Sequence, residues 1–285
     1  MSTASPATPT RTRTITLRPR ATVAMLLATT FGIVAFGWPL LLDPGTGTAH
    51  LRDAPLILGL LLPIVLGVTL AEVADGGIDA KAVALLGVLT AVGAALRPLG
   101  TGVAGFEPMF FLLVLAGRVH GVGFGFVLGS TTLFASALLT GGVGPWLPFQ
   151  MLGAAWVAAG AGLLPPARGR AELAMLAAYG ALAGLAYGLA LNLSFWPFAL
   201  PEGTGISYEA GAPLLDNLGR FVLFSLVTSM GFDLPRAALT ATLVLVTGRP
   251  LLRALRRASR RAAFDAPVHF GAPPGEAVDD PAPRQ

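Results

Sequence analysis

Seven side chains carry recognition chemistry where the surrounding chain is otherwise apolar. Arg97 and Glu107 bracket the segment LRPLGTGVAGFEP, Trp146 and Gln150 sit in GGVGPWLPFQ, and Asn192, Trp196 and Tyr208 fall in a polar stretch further on. A guanidinium, a carboxylate, two amides and three aromatic rings make a binding set. The rings can cover apolar area on a small molecule while charges and amides orient its polar groups. Each residue also has a plainer reading. Arg97 and Glu107 can pair with each other or snorkel to an interface, and Trp146 suits an interfacial aromatic belt. Gln150, one turn into an apolar helix, needs some polar partner. The stretch holding Asn192, Trp196 and Tyr208 is either a lid or plain surface.

Catalytic chemistry is not spelled out. The chain has no Cys, and its three His (His50, His120, His269) are scattered, so no metal cluster and no thiol nucleophile are expected. Ser136 and Ser225 have no His or Lys at matching depth to activate them. There is no glycine-lysine phosphate loop, and the glycines at 121, 123 and 125 do not complete a dinucleotide fingerprint. No enzyme activity and no cofactor are expected.

The elements that must position these residues are membrane helices. Hydrophobic residues make up 54% of the chain and charged residues 12%, against about 25% charged in soluble domains, and the mean hydropathy is +0.72. Apolar runs near the ~20 residues that cross a bilayer, without strand alternation, define an all-α integral membrane protein. The pI of 10.3 accompanies a net charge of only +4. Its cations are nearly all Arg beside apolar spans, which fits membrane topology and not a nucleic-acid partner.

Residues 1–20 read as a disordered basic tail, followed by spans at 21–42 and 55–73. The first of these is too long for the apolar core of a signal peptide. Shorter apolar segments follow at 82–96, 106–117, 122–140, 146–164 and 171–191, then a polar insertion at 192–217. The run 218–247 is interrupted by GFDLPR, where Asp233 before Pro235 reads as a helix start. That places an interfacial segment at 218–231 and a last span from Leu234. Eight spans with both termini cytoplasmic put four Arg (Arg52, Arg97, Arg220, Arg236) outside and the other 15 of the 19 cations inside. The expected division is a tail at 1–20, two N-terminal spans within 21–81, a six-helix core at 82–262 and a disordered cytoplasmic tail at 263–285, in a multi-pass protein of the cell membrane.

Small residues recur at every fourth position: Ala80 and Ala84, Ala91 and Ala95, then Gly117, Gly121, Gly125 and Gly129, then Gly180, Gly184 and Gly188. In a bilayer such rows let helices approach closely, within the chain or against a membrane partner docked at Ala80 to Ala95.

Residues 82–261 resemble the substrate-binding S component of energy-coupling factor (ECF) transporters. The resemblance rests on AALRPLG, on EPMFFLLVLAGRVHG running into GFGFVLGSTTLFASALLTG, on GPWLPFQMLGAAWVAAGAGLLP, and on GFDLPRAAL before an Arg-rich end. It implies a six-helix core whose outer half binds a vitamin or related micronutrient. The family's Ala-x-x-x-Ala pair, which contacts a transmembrane coupling subunit, has two counterparts here, Ala80/Ala84 and Ala91/Ala95. Two cytoplasmic ABC-type ATPases would supply the energy. The two N-terminal spans depart from the family pattern. A stand-alone secondary transporter and a structural membrane protein are the alternatives.

Overall fold

The computed structural model describes residues 17–41, 49–75, 80–100, 104–201 and 203–262. The tail expected at 263–285, and all but the end of the one at 1–20, lie outside the described residues. Among those described, every regular element is helical. The helices are α1 (Pro19–Leu41), α2 (Ala49–Asp75), α3 (Ala80–Leu96, continued by a 3-10 turn at Arg97–Gly100), α4 (Met109–His120), α5 (Val122–Thr140), α6 (Leu147–Leu163), α7 (Gly169–Ala199), α8 (Leu214–Phe224) and α9 (Met230–Ala262). A π-turn at Ser225–Ser229 joins α8 to α9 without a break, so these described helices form eight rods. Five of the rods are long and apolar enough to cross a membrane: α1, α3 with its turn, α5, α7 and α8–α9. The chain is a helical, multi-pass membrane protein.

Two short helices make the centre. α4 has 12 residues and α6 has 17, and both are buried on almost every side, as a helix that is apolar all round must be. α6 packs against α4 and α5, α4 against α9, α9 against α7, and α3 against α5. The glycine row cements this centre. A side chain at Gly117, Gly125 or Gly129 would overlap the backbone of α6 at Ala154 or Ala158. Gly121, at φ 91°, is the entire connection between α4 and α5.

The two N-terminal helices are built into the bundle. Phe36 of α1 meets Phe149 edge-on at 5.2 Å and lies 5.3 Å from Trp156. Trp156 Nε1 donates to Thr29 Oγ1 at 3.2 Å, and Trp38 Nε1 donates to the Ser194 carbonyl at 3.3 Å. α3 stands at the opposite extreme, with only 22% of its apolar span buried. Its Ala80, Ala84, Ala91 and Ala95 all face away from the bundle, with Gly87 open between them.

Three expectations are corrected. GFDLPR does not interrupt the last helix: the rod continues through it, and the irregularity is the π-turn one turn earlier. Asp233 consequently caps nothing, and 218–231 is no separate segment. The polar insertion at 192–217 is likewise shorter, because α7 runs on through Asn192 and Trp196 to Ala199.

Candidate ligand-binding cavity

The end of the bundle that holds the 97–107, 141–146 and 200–213 connections, here the upper end, carries the charges. Gly105 has φ 70°, and a side chain there would overlap the Phe232 carbonyl of α9, so only glycine lets this connection lie against α9. The fold delivers Glu107 to α9, where its carboxylate pairs with Arg236.

Arg236 is the hub of the upper end. Its Nη1 donates to Asp233 Oδ1 at 2.5 Å and to the Gly184 carbonyl at 3.4 Å. Its guanidinium stands 5.4 Å from the Tyr187 ring centroid and 5.9 Å from that of Phe110, close enough for cation–π attraction. Arg236 is 8% exposed and Asp233 2%, and Asp233 Oδ2 has no hydrogen-bond partner among the described residues. A buried cation of this kind persists because carboxylates and a carbonyl surround it. On the other side of the cavity, Arg97 Nη2 donates to Gln150 Oε1 at 3.1 Å. Among the described residues Arg97 has no carboxylate partner, since Glu107 is paired with Arg236 instead.

Arg97, Glu107, Arg236 and Trp146 share the wall of a cavity of about 570 Å³ with Phe106 and Phe232, within the ~300–1,000 Å³ common for small-molecule sites. Trp146 and Phe232 are each 53% exposed. Beneath Glu107 the chain is closed: Met109, Phe110 and 113–116 of α4 are completely buried. Toward the centre of the bundle the cavity ends at α4.

Of the sequence-predicted residues, Arg97, Glu107 and Trp146 come together here, and Gln150 holds Arg97 from behind. The other three do not join them. Trp196 is fully buried, donates from Nε1 to the Ile206 carbonyl at 2.8 Å, and touches Tyr208 and Phe221 at ring distances of 5.4 and 5.5 Å. It pins the 200–213 connection to α8. Tyr208 is half-buried in the same cluster, and burial pushes its phenol pKa up. Asn192 lies on α7 with its Nδ2 buried and unpartnered among the described residues. Sequence reasoning missed Arg236 and Asp233 as site residues; the signal was Asp and Arg three apart, on one face of an apolar helix.

The lower end has its own charge cluster. Arg118 Nε donates to Glu172 Oε1 at 2.9 Å and its Nη1 to the Leu164 carbonyl at 2.8 Å, while Arg256 Nη2 reaches the same Glu172 oxygen at 2.6 Å. The central α4 is therefore bracketed by charges at residues 107 and 118, which are about 16 Å apart along a helix.

No protein-family model, no curated protein and no solved structure matches this chain.

Proposed function

We propose that this chain is the substrate-capture subunit of an ECF-type importer. It takes a vitamin-like micronutrient from outside into the upper cavity, and it depends on a transmembrane coupling subunit and two cytoplasmic ATPases for release inward. The observation that carries this reading is a cavity closed on its inner side by α4. A charged, aromatic-rimmed pocket of about 570 Å³ lies over the buried middle of α4, and the sequence has no nucleotide-binding loop with which to drive opening. Such a protein can hold a ligand, but it needs others to move it.

The outward face of α3 supports the same reading. Ala80, Ala84, Gly87, Ala91 and Ala95 present bare backbone to the bilayer, the surface that a second membrane helix needs for close approach. In the proposed orientation the eight rods run alternately up and down, with the short α4 and α6 enclosed by the longer ones, both termini are cytoplasmic, and the Arg row from Arg249 onward lies inside. The test is assembly. Co-expressed with a coupling subunit and its ATPase pair, the tagged chain should co-purify with them, and uptake should require all components. Full uptake by the purified chain alone in liposomes would overturn the reading.

One observation favours a second reading, a stand-alone secondary transporter. Ionisable groups buried at membrane depth mark ion pathways, and the unpartnered Oδ2 of Asp233 is such a group. Ion-gradient-driven uptake by the chain alone is its signature.

A further inference from the structure

Four ionised groups meet at the upper cavity: Arg97, Arg236 and Glu107 in its wall, and Asp233 directly behind Arg236. Two guanidiniums and two carboxylates cancel, so the empty site has no net charge. The charges are not evenly spread. Arg236 is spent on both carboxylates, which leaves the Glu107–Arg236–Asp233 side with one negative charge in excess. The compensating positive charge sits on Arg97, held by Gln150.

Both poles have spare bonding capacity toward the cavity. A guanidinium has five N–H donors, and Gln150 occupies Nη2 of Arg97. Glu107 uses Oε2 on Arg236 while its side chain stays 25% exposed. A ligand with only an anionic group would satisfy Arg97 and leave the negative side of the site uncompensated. A ligand with only a cationic group would do the reverse. Beside the buried Arg236 and Asp233, an excess charge of either sign is costly.

Resting on the reading of this cavity as the ligand site, we infer that it takes a zwitterion. The ligand has no net charge, with an anionic group for Arg97, a cationic group for Glu107 and a flat apolar body against Trp146, Phe106 and Phe232. Aromatic rings are the side chains suited to such a body. Tyr187 and Phe110 cover the far side of Arg236 and both carboxylates already engage it, so Arg97 is the cation left for the ligand's anionic group.

The test uses probes that share an indole body and differ in charge: tryptophan and glycyl-tryptophan (zwitterions), indole-3-propionate (anion), tryptamine (cation) and 3-methylindole (neutral). Binding to the purified full chain in detergent is followed by calorimetry. At least one zwitterion should bind about tenfold or more tighter than every singly charged or neutral probe, equivalent to ~1.4 kcal/mol. In Arg97→Gln the zwitterion should lose its advantage over tryptamine, and in Glu107→Gln its advantage over indole-3-propionate. Arg97→Lys should restore part of the first, and melting curves verify that each variant is folded. The inference is overturned if a singly charged or neutral probe binds as tightly as the zwitterions, or if no zwitterion binds. Failure here leaves the capture reading standing wherever the coupling subunit and ATPases still co-purify. Zwitterion binding combined with unaided uptake removes the capture reading and keeps the charge rule.

Discussion

Asp233 of α9 occupies the notch that Gly188 leaves in α7, and no side chain at position 188 can share that space with its carboxylate. The contact belongs to a seam. Gly180 faces Thr240, Gly184 faces Arg236 and Ala237, and Gly188 faces Asp233, so each glycine admits a larger group from the antiparallel helix. Arg236 and Asp233 can sit buried between apolar helices because α7 supplies bare backbone beside them, including the Gly184 carbonyl that Arg236 uses.

Gly188→Ala should therefore destabilise the protein by about 1–3 kcal/mol through overpacking, and it should also disturb the upper site by displacing Asp233. Gly67→Ala on α2, where nothing lies within 4 Å of an added methyl, should be neutral or stabilise by about 0.4–1 kcal/mol. Thermal melting of the detergent-solubilised variants separates the two. Equal melting of both variants would mean that the seam is looser than described.

Arg236→Met should be among the most damaging single changes at the upper end. It strands Glu107 and the buried Asp233 without their cation, and removing one member of a buried ion pair costs about 3–5 kcal/mol. The triple variant that adds Glu107→Gln and Asp233→Asn removes those stranded charges and should recover much of the loss. A triple variant no more stable than Arg236→Met would show that packing against Phe110 and Tyr187, not charge, is what Arg236 contributes. At the lower end, Glu172→Ala should cost more than Arg256→Ala, because the Glu172 side chain is 3% exposed and that of Arg256 is 44% exposed.

Trp196 and Trp146 should separate stability from binding. Trp196→Ala empties a fully buried site and should cost about 3–5 kcal/mol, with little effect on the affinity of whatever probe the upper cavity binds. Trp146→Ala removes a half-exposed ring from the cavity rim and should leave the melting temperature nearly unchanged while weakening that probe. Melting curves and calorimetry on the same two variants check both halves. The reverse pattern would return Trp196 to the ligand site.

The rods were legible because membrane helices announce themselves locally. The apolar run at 122–140 coincides with α5, and the run at 82–96 falls within α3. The glycine row was legible as close packing, though its partner, α6, was not. What escaped sequence reading depended on distant residues or on the bilayer. Asp233 before Pro235 reads locally as a helix start, yet its ion partner Arg236 is held by Glu107, 129 positions away along the chain, and the helix runs on through both. Asn192, Ser194 and Pro197 read as loop, yet Trp196 beside them is the centre of a packed cluster that holds α7 in shape to Ala199. Arg97 and Gln150 could each be singled out as needing a partner; that they would satisfy each other depends on how α3 and α6 are brought together.

The outward face of α3 gives the sharpest test of assembly, because it can be altered without touching the chain's own core. Ala84 is exposed, and an added methyl at Gly87 meets nothing within 4 Å. Ala84→Leu and Gly87→Leu should therefore leave the melting temperature and the binding of small probes unchanged. A close helix–helix contact tolerates no such bulk. At an overpacking cost of about 1–3 kcal/mol and ~1.4 kcal/mol per tenfold, affinity for a coupling subunit docked on this face should fall roughly 5- to 150-fold. The measurement is recovery of the coupling subunit with the tagged variants relative to the parent chain, alongside Leu60→Ala on the lipid-facing side of α2 as the control. Undiminished recovery with both leucine variants would remove α3 as the docking face, and a partner that still co-purified would then have to dock on another surface of the bundle.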